Sequence, residues 1–78
     1  MNQASRTPAH EQDFELRGEF ITLSDLLKAA SLVGSGGLAK LWIQNGEVQV
    51  DGRIETRRAC KLRRGQAVLA AGVLVRLV

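Results

Sequence analysis

The sequence predicts an α+β domain in which two N-terminal helices pack on a small, mainly antiparallel sheet of short strands. Three observations carry this prediction. Apolar residues recur at helical spacing after residue 22, a second helical pattern follows a serine at position 35, and the chain beyond residue 47 consists of short apolar runs divided by turn signals. Helices and strands that occupy separate parts of a chain form α+β architectures. The length of 78 residues allows one domain.

The first 13 residues are predicted to form a flexible polar tail, with a single domain over residues 14–78. The tail contains Pro8 and small polar residues and shows no hydrophobic periodicity. His10 lies in it, and an isolated histidine in such a segment is not predicted to bind a ligand.

A short strand at residues 20–21 leads into the first predicted helix. Thr22 is a good N-cap, and Asp25 stands three residues on, where a capping box places its acid. Lys28 lies on the opposite face, and the helix is expected to end near residues 33–34. The core stripe of this helix follows the i, i+3, i+4, i+7 rule and comprises Leu23, Leu26, Leu27 and Ala30.

The second helix is predicted to begin at the N-cap Ser35 and to stop at the pair Asn45 and Gly46. Its core stripe is predicted at Leu38, Leu41 and Trp42, widened by Ala39 and Ile43. At 100° per residue, the residues that fall on the other face are Gly36, Gly37, Lys40 and Gln44.

The rest of the chain is predicted to be strands and turns. Asp51-Gly52 is a strong hairpin turn signal, yet a two-residue turn would mix apolar and polar residues on both faces. The hairpin is therefore expected to be short or bulged. It is followed by an irregular basic loop over residues 55–60 and a turn at residues 63–66. Two more strands, residues 67–70 and 73–78, are joined through Ala71 and Gly72.

Composition argues against several functions. Cys60 is the only cysteine, so no disulfide is expected, and with His10 it is too little to hold structural zinc. No histidine stands near a serine or cysteine in a nucleophile arrangement, so the chain is predicted not to be an enzyme and to need no cofactor or small-molecule substrate. Charges interrupt each apolar run and no secretory signal is visible, which indicates a cytoplasmic protein.

The net charge of +3 hides a segregation of charge along the chain. Residues 1–19 carry two arginines against four acids, a net −2, whereas residues 20–78 carry nine bases against four acids, a net +5. Between residues 53 and 64 only Glu55 opposes the bases. A compact domain with such a stretch offers a footprint for polyanions, or else simply a solvated basic surface. The bases of this stretch are Arg53, Arg57, Arg58, Lys61, Arg63 and Arg64.

The start of the second helix suits a phosphate group. The first backbone N–H groups of a helix have no intrahelical partner, and the helix dipole favours an anion there. Gly36 and Gly37 allow a close backbone approach, and Lys40 adds a charge one turn along. The alternative is that the two glycines only form a tight corner between the helices.

Aromatic residues offer no stacking platform for bases. Phe14, Phe20 and Trp42 are the only aromatic residues, and Phe20 and Trp42 are interpreted as core. This argues against a reader of single strands and favours recognition of folded RNA through shape and phosphates. Arginines of the basic stretch fit this purpose because their planar guanidinium forks bind phosphate bidentately.

From residue 21 to about residue 68, the sequence resembles the S-four-type RNA-binding domain, named after a small-subunit ribosomal protein. The resemblance rests on an ordered set of short segments rather than on one motif, and Gln66 stands where the family usually has Asp. The segments are residues 23–27 (Leu-Ser-Asp-Leu-Leu), 35–40 (Ser through Ala-Lys), 46–52 (Gly-Glu-Val-Gln-Val-Asp-Gly) and 64–68 (Arg-Gly-Gln-Ala-Val). Residues 55–58 (Glu-Thr-Arg-Arg) and 60–61 (Cys-Lys) resemble small stand-alone bacterial members of the family.

The resemblance implies an αL-type fold in which the two helices and the following hairpin make an L-shaped RNA-binding surface. By position, it marks Ser35, Gly37, Lys40 and the hairpin bases as contacts. Thr22 and Gly36 depart from the family, because many members carry a basic residue at each of these places.

We therefore expect a monomeric protein that binds structured ribosomal or transfer RNA, with the ribosome as a candidate partner. A second hypothesis is an adaptor that docks an acidic protein on the same basic face. The full set of candidate contacts is Lys28, Ser35, Gly36, Gly37, Lys40, Arg53, Arg57, Arg58, Lys61, Arg63 and Arg64.

Overall fold

The computed structural model describes residues 9–78 of the chain, which form two helices and seven short strands. The elements in chain order are β1 His10–Phe14, β2 Ile21–Thr22, α1 Leu23–Ala29, α2 Gly36–Gln44, β3 Val48–Val50, β4 Arg53–Ile54, β5 Lys61–Leu62, β6 Ala67–Ala70 and β7 Val73–Leu77.

The strands form two sheets. The larger has the order β1-β7-β6-β3-β4, and β2 pairs with β5 in a separate antiparallel ribbon. Every pair in the larger sheet is antiparallel except β1 with β7, which run parallel. The predicted α+β class with a mainly antiparallel sheet is confirmed. The helices are not the first elements of the chain: the short strand before α1 was predicted and corresponds to β2, whereas β1 was not predicted.

Strand β1 lies where the last part of the flexible tail was predicted. Residues 10–13 were assigned to that tail, but they pair with β7 along its free edge. Arg76 on β7 bridges two acids of β1, with its Nη1 2.7 Å from Glu11 Oε1 and its Nε 3.2 Å from Asp13 Oδ1. An exposed edge strand of polar residues carries no hydrophobic alternation, so the pattern could not show it. Residues 1–8 of the predicted tail lie outside the described residues.

Helix α1 forms as predicted and ends early. Thr22 Oγ1 accepts a hydrogen bond from Asp25 N at 3.3 Å, and the predicted leucines of the stripe are fully buried. The helix stops at Ala29 rather than near residue 33, because Ser31 turns into the left-handed region at φ 63°. The N–H groups of residues 32 and 33 then both bond to Leu27 O. This corner sets the direction of α2.

Helix α2 has the predicted ends but a different buried face. Ser35 Oγ caps Leu38 N at 3.2 Å, and at the C-terminus Gly46 adopts φ 77°. Ala39 and Ile43 are fully buried and Trp42 is half-buried. The prediction of Leu38 and Leu41 as core is wrong, since they are 39% and 52% exposed. The small Ala39 faces inward where α2 packs on α1. Because consecutive helix residues are 100° apart, burial of Ala39 turns the preceding Leu38 toward solvent, and Leu41 with it.

The hairpin of β3 and β4 has the two-residue turn and is short. Val50 stands opposite Arg53 and Gln49 opposite Ile54. Asp51 and Gly52 have φ of 50° and 85°, as a type I′ turn requires. The mixed faces are tolerated because both residues of β4 are exposed at the sheet edge. Residues 55–60 form the expected loop, whereas strand β5 after it was not predicted.

The last part of the chain agrees with its prediction. The turn at residues 63–66 closes with Gln66 N donating to Arg63 O at 3.1 Å. Strands β6 and β7 follow and are joined through Ala71 and Gly72, both with positive φ. Leucine, isoleucine, valine and alanine side chains from the helices, β3, β5, β6 and β7 fill one continuous core with Leu16. Over residues 9–78, neither helix is long and apolar enough to cross a membrane.

Candidate nucleic-acid interface

The basic loop over residues 55–60 is fastened to the start of α1. Leu23 N donates to Cys60 O at 2.9 Å, and Ser24 N donates to Arg58 O at 3.1 Å. The pairing of β2 with β5 places Lys61 opposite Thr22. The first amides of α1 therefore donate hydrogen bonds to carbonyl groups of the loop. The same bonds hold the backbone of the loop, and with it the basic residues, beside that end of the helix.

Arg57 is held by a bidentate ion pair with Glu55. The Nε and Nη2 atoms of Arg57 lie 2.9 and 3.1 Å from the two carboxylate oxygens, and Arg57 N also donates to Oε2 at 2.9 Å. These hydrogen bonds lower the pKa of Glu55 to about 2. Glu55 therefore stays ionised and neutralises part of the charge that Arg57 brings, although the Arg57 side chain is 77% exposed.

Glu55 should make stability sensitive to acid. Its pKa lies at about 2 in the folded protein against an ordinary 4.5, so between these values the unfolded chain binds a proton that the folded chain does not. The stabilisation is complete above pH 4.5 and is lost as the pH falls toward 2. We expect the free energy of unfolding to fall less steeply over this interval in Glu55→Gln. Urea titrations at several pH values measure it, and parallel curves for the two proteins would contradict the assignment.

The second basic group lies at the N-terminus of α2. Ser35, Gly36 and Gly37 are exposed there, so a ligand can approach the backbone. A Cβ added at Gly36 would lie 3.8 Å from Lys28 Nζ, which places that ammonium group against the first turn of α2. Lys28 also lies 3.8 Å from Asp25 Oδ1, a loose pair on an exposed surface. The fold thus adds the Lys28 charge to a helix end that already favours anions.

The remaining predicted cations take different places. Lys40 is exposed one turn along α2, and Arg53 is exposed on the edge strand β4. Within residues 9–78 neither of them, nor Arg58, forms an ion pair. The two basic groups lie at opposite ends of α1, whose seven residues span about 10 Å. Within the described part of the chain, no side-chain hydrogen bond or ion pair joins Arg53 to either group.

Arg63 and Arg64 turn toward the connection between β1 and β2. Arg64 donates to Leu16 O at 2.6 Å and to Gly18 O at 3.1 Å, so its guanidinium group holds backbone rather than facing solvent freely. Arg63 Nη1 lies 3.4 Å from Glu19 O. These two arginines stabilise the connection, which sequence reasoning did not anticipate.

Phe20 is not part of the core, contrary to its interpretation from the sequence. Its side chain is 41% exposed, with Lys61 Nζ 4.7 Å and Arg63 Cζ 5.9 Å from the ring centroid. The signal was present in the sequence. Neighbouring residues of an extended chain point to opposite sides, so Phe20 and Ile21 could not both face inward. Ile21 is the one that packs against the core.

The described residues offer little for other chemistry. Among residues 9–78, no group of three or more His, Cys, Asp or Glu side chains is placed to hold a metal ion. Burial and the charge of Glu55 raise the pKa of the Cys60 thiol, so the nearby Arg57 does not turn it into a reactive thiolate.

The chain is similar to known proteins in sequence and in fold. The family model of the S4 domain matches residues 14–78. YbcJ of Escherichia coli, named provisionally as an RNA-binding protein, is 47% identical over 58 residues, 74% of this chain and 83% of YbcJ. RlbA of Bacillus subtilis, named as a probable ribosome maturation protein, is 41% identical over 54 residues, 69% of this chain and 76% of RlbA.

A solved structure shows the same fold. The solution structure of Escherichia coli YbcJ, described as revealing an αL motif involved in RNA binding, superposes with a TM-score of 0.67. The two chains are 43% identical in that comparison, which covers 85% of each. The sequence match over the helices, the hairpin and the last strands, together with the shared fold, shows that this chain belongs to the S4 domain family.

Proposed function

We propose that this protein binds structured RNA, ribosomal or transfer RNA, through phosphate and shape contacts on one basic face, and that it does so without catalysis. The face combines the two groups of cations at the ends of α1 with the exposed start of α2. The observation that carries the proposal is the position of Lys28 against the first turn of α2. This position unites a positive charge, a helix dipole and an exposed glycine backbone at one point.

The start of α2 supplies directed hydrogen bonds to phosphate. Ser35 Oγ already accepts from Leu38 N, whereas the N–H groups of Gly36 and Gly37 belong to the turn that has no intrahelical acceptors. Both glycines are exposed, so a phosphate oxygen can reach their amides without meeting a Cβ. Lys28, which lies against this turn, and Lys40, one turn further along α2, then neutralise the charge of the bound phosphate.

The far end of α1 supplies a second point of attachment. Arg58 and Lys61 are exposed there and are held in place by the backbone bonds between the loop and α1. Arg57 contributes the guanidinium N–H groups that are not hydrogen-bonded to Glu55. Two attachment points separated by about the length of α1 would favour an RNA whose backbone presents phosphates at a matching spacing, which is recognition by shape.

The contacts that we propose on this basic face extend from α1 to the edge strand. They are Lys28, Ser35, Gly36, Gly37, Lys40, Arg53, Arg57, Arg58, Lys61 and Arg63. Arg64 is assigned to supporting the chain between β1 and β2, because its donors are committed to carbonyl groups there. The similarity to RlbA, named as a probable ribosome maturation protein, makes ribosomal RNA the first class to test.

Binding to matched nucleic acids tests the proposal. We expect a structured ribosomal RNA fragment or a transfer RNA to bind more tightly than a DNA hairpin of the same length in fluorescence anisotropy. The affinity should fall linearly with the logarithm of salt concentration, as phosphate contacts require. Equal and weak binding of RNA and DNA would overturn the proposal. Recovery of one acidic protein after nuclease treatment would then favour the adaptor hypothesis.

A further inference from the structure

A pocket opens where the chain passes from β1 to β2. Its volume is about 310 Å³, at the lower end of the range for small-ligand sites, about 300–1,000 Å³. It lies next to the Lys61 end of the basic face, because Lys61 reaches over one of its walls. The residues that line it are Phe14, Glu15, Leu16, Arg17, Phe20 and Ile21.

The pocket wall is held in one shape from outside. The carbonyl oxygens of Leu16 and Gly18 accept hydrogen bonds from Arg64, and that of Glu19 accepts one from Arg63. Leu16 N also donates to Val78 O at 2.9 Å. A connection fixed at four backbone groups does not have to order itself when a ligand arrives, which removes part of the cost of binding.

The wall at Phe20 combines an aromatic ring with positive charge. The ring lines the pocket and is 41% exposed, and Lys61 and Arg63 stand within 6 Å of its centroid, at 4.7 and 5.9 Å. Proteins hold unpaired nucleotides in this way, since the base stacks on an aromatic ring while cations bind its phosphate. Glu15 and Arg17 both line the pocket, so its lining carries one negative and one positive charge that offset each other. A lining without net charge suits a neutral base, whereas the phosphate is drawn to the two cations beside Phe20.

We propose that this pocket holds one unpaired nucleobase of the bound RNA, stacked on Phe20, with the adjoining phosphate bound by Lys61 and Arg63. The inference rests on the proposed RNA-binding function and adds a preference for a bulged or looped-out nucleotide beside a duplex. The size of the pocket limits it to a single base.

The test compares two RNA hairpins that differ by one bulged adenosine in an otherwise paired stem. We expect the parent protein to bind the bulged hairpin at least about fivefold more tightly, as one base stacked on an aromatic ring implies. Phe20→Leu keeps an apolar side chain but removes the ring, and it should abolish this preference while leaving affinity for the paired hairpin unchanged. Leu41→Ala, an exposed apolar residue that does not line the pocket, serves as the control and should keep the preference.

The outcomes separate the two proposals. A parent protein that binds both hairpins equally well, or a Phe20→Leu variant that still prefers the bulge, overturns the pocket and leaves the basic face standing. A parent protein that binds neither hairpin, nor the ribosomal and transfer RNA used above, overturns both. In the expected case, the ring-proton resonances of Phe20 also shift on adding the bulged hairpin and not on adding the paired one.

Discussion

The triple variant Lys40→Ala, Arg58→Ala, Lys61→Ala is expected to bind a structured RNA on the order of a hundredfold more weakly than the parent at about 0.1 M salt. Each cation is exposed, and none of the three forms an ion pair within residues 9–78, so each is available to neutralise a phosphate. Loss of three such contacts should flatten the plot of log K against log salt concentration by about two to three units. Fluorescence anisotropy over a salt series measures both quantities.

Arg76→Ala is the matched control for the loss of charge. Arg76 lies on β7, where it bridges Glu11 and Asp13 away from the proposed face. Its removal should leave the salt slope unchanged. A triple variant with the slope of the parent, or an Arg76→Ala variant with as large a loss per charge, would mean that overall charge rather than this face governs binding.

Replacement of Leu27 by alanine is expected to lower the free energy of unfolding by about 3 kcal/mol. Leu27 is fully buried on α1, so its loss leaves a cavity under the two helices. A domain of this size is stabilised by only about 4–12 kcal/mol in total. The change therefore removes a large share of the stability. Urea unfolding followed by the fluorescence of Trp42, the single tryptophan, measures it.

Leu41→Ala tests the observed orientation of α2 by the same method. Leu41 belonged to the core stripe predicted from the sequence but is 52% exposed in the structure. Its replacement should cost less than about 1 kcal/mol, as is usual for exposed positions. An equal loss of stability in the Leu27 and Leu41 variants would show that α2 presents the face that periodicity predicted.

Local signals predicted most of the fold. Caps and turns are decided by a few neighbouring atoms, so Thr22, Ser35 and the pair Asp51-Gly52 could be identified directly, and each behaves as expected. The rotation of α2 depends instead on which side chain fits against α1, and Ala39 fits better than the larger leucines beside it. Strand β1 depends on a partner more than sixty residues away, which no local pattern contains.

The candidate site, like the fold, was predicted from the sequence only in part. Charge and glycine content along the chain were sufficient to suggest the basic stretch and the start of α2. The sequence could not show that the Lys28 ammonium group lies against Gly36, or that Glu55 forms an ion pair with Arg57. Both contacts follow from side-chain positions in the folded chain. It also assigned Phe20 to the core and thereby missed the pocket, whose walls come from a connection held by arginines of a distant turn.

The most direct test of the account is to map the RNA contacts on the protein by amide chemical shifts. With a structured ribosomal RNA fragment that binds, the account predicts that the shifted amides concentrate at residues 35–40 and 57–61, with those of residues 10–13 unchanged. Shifts that concentrate on β1 and β7, or that spread evenly over the domain, would contradict the claim that the two ends of α1 and the start of α2 form the RNA-binding face.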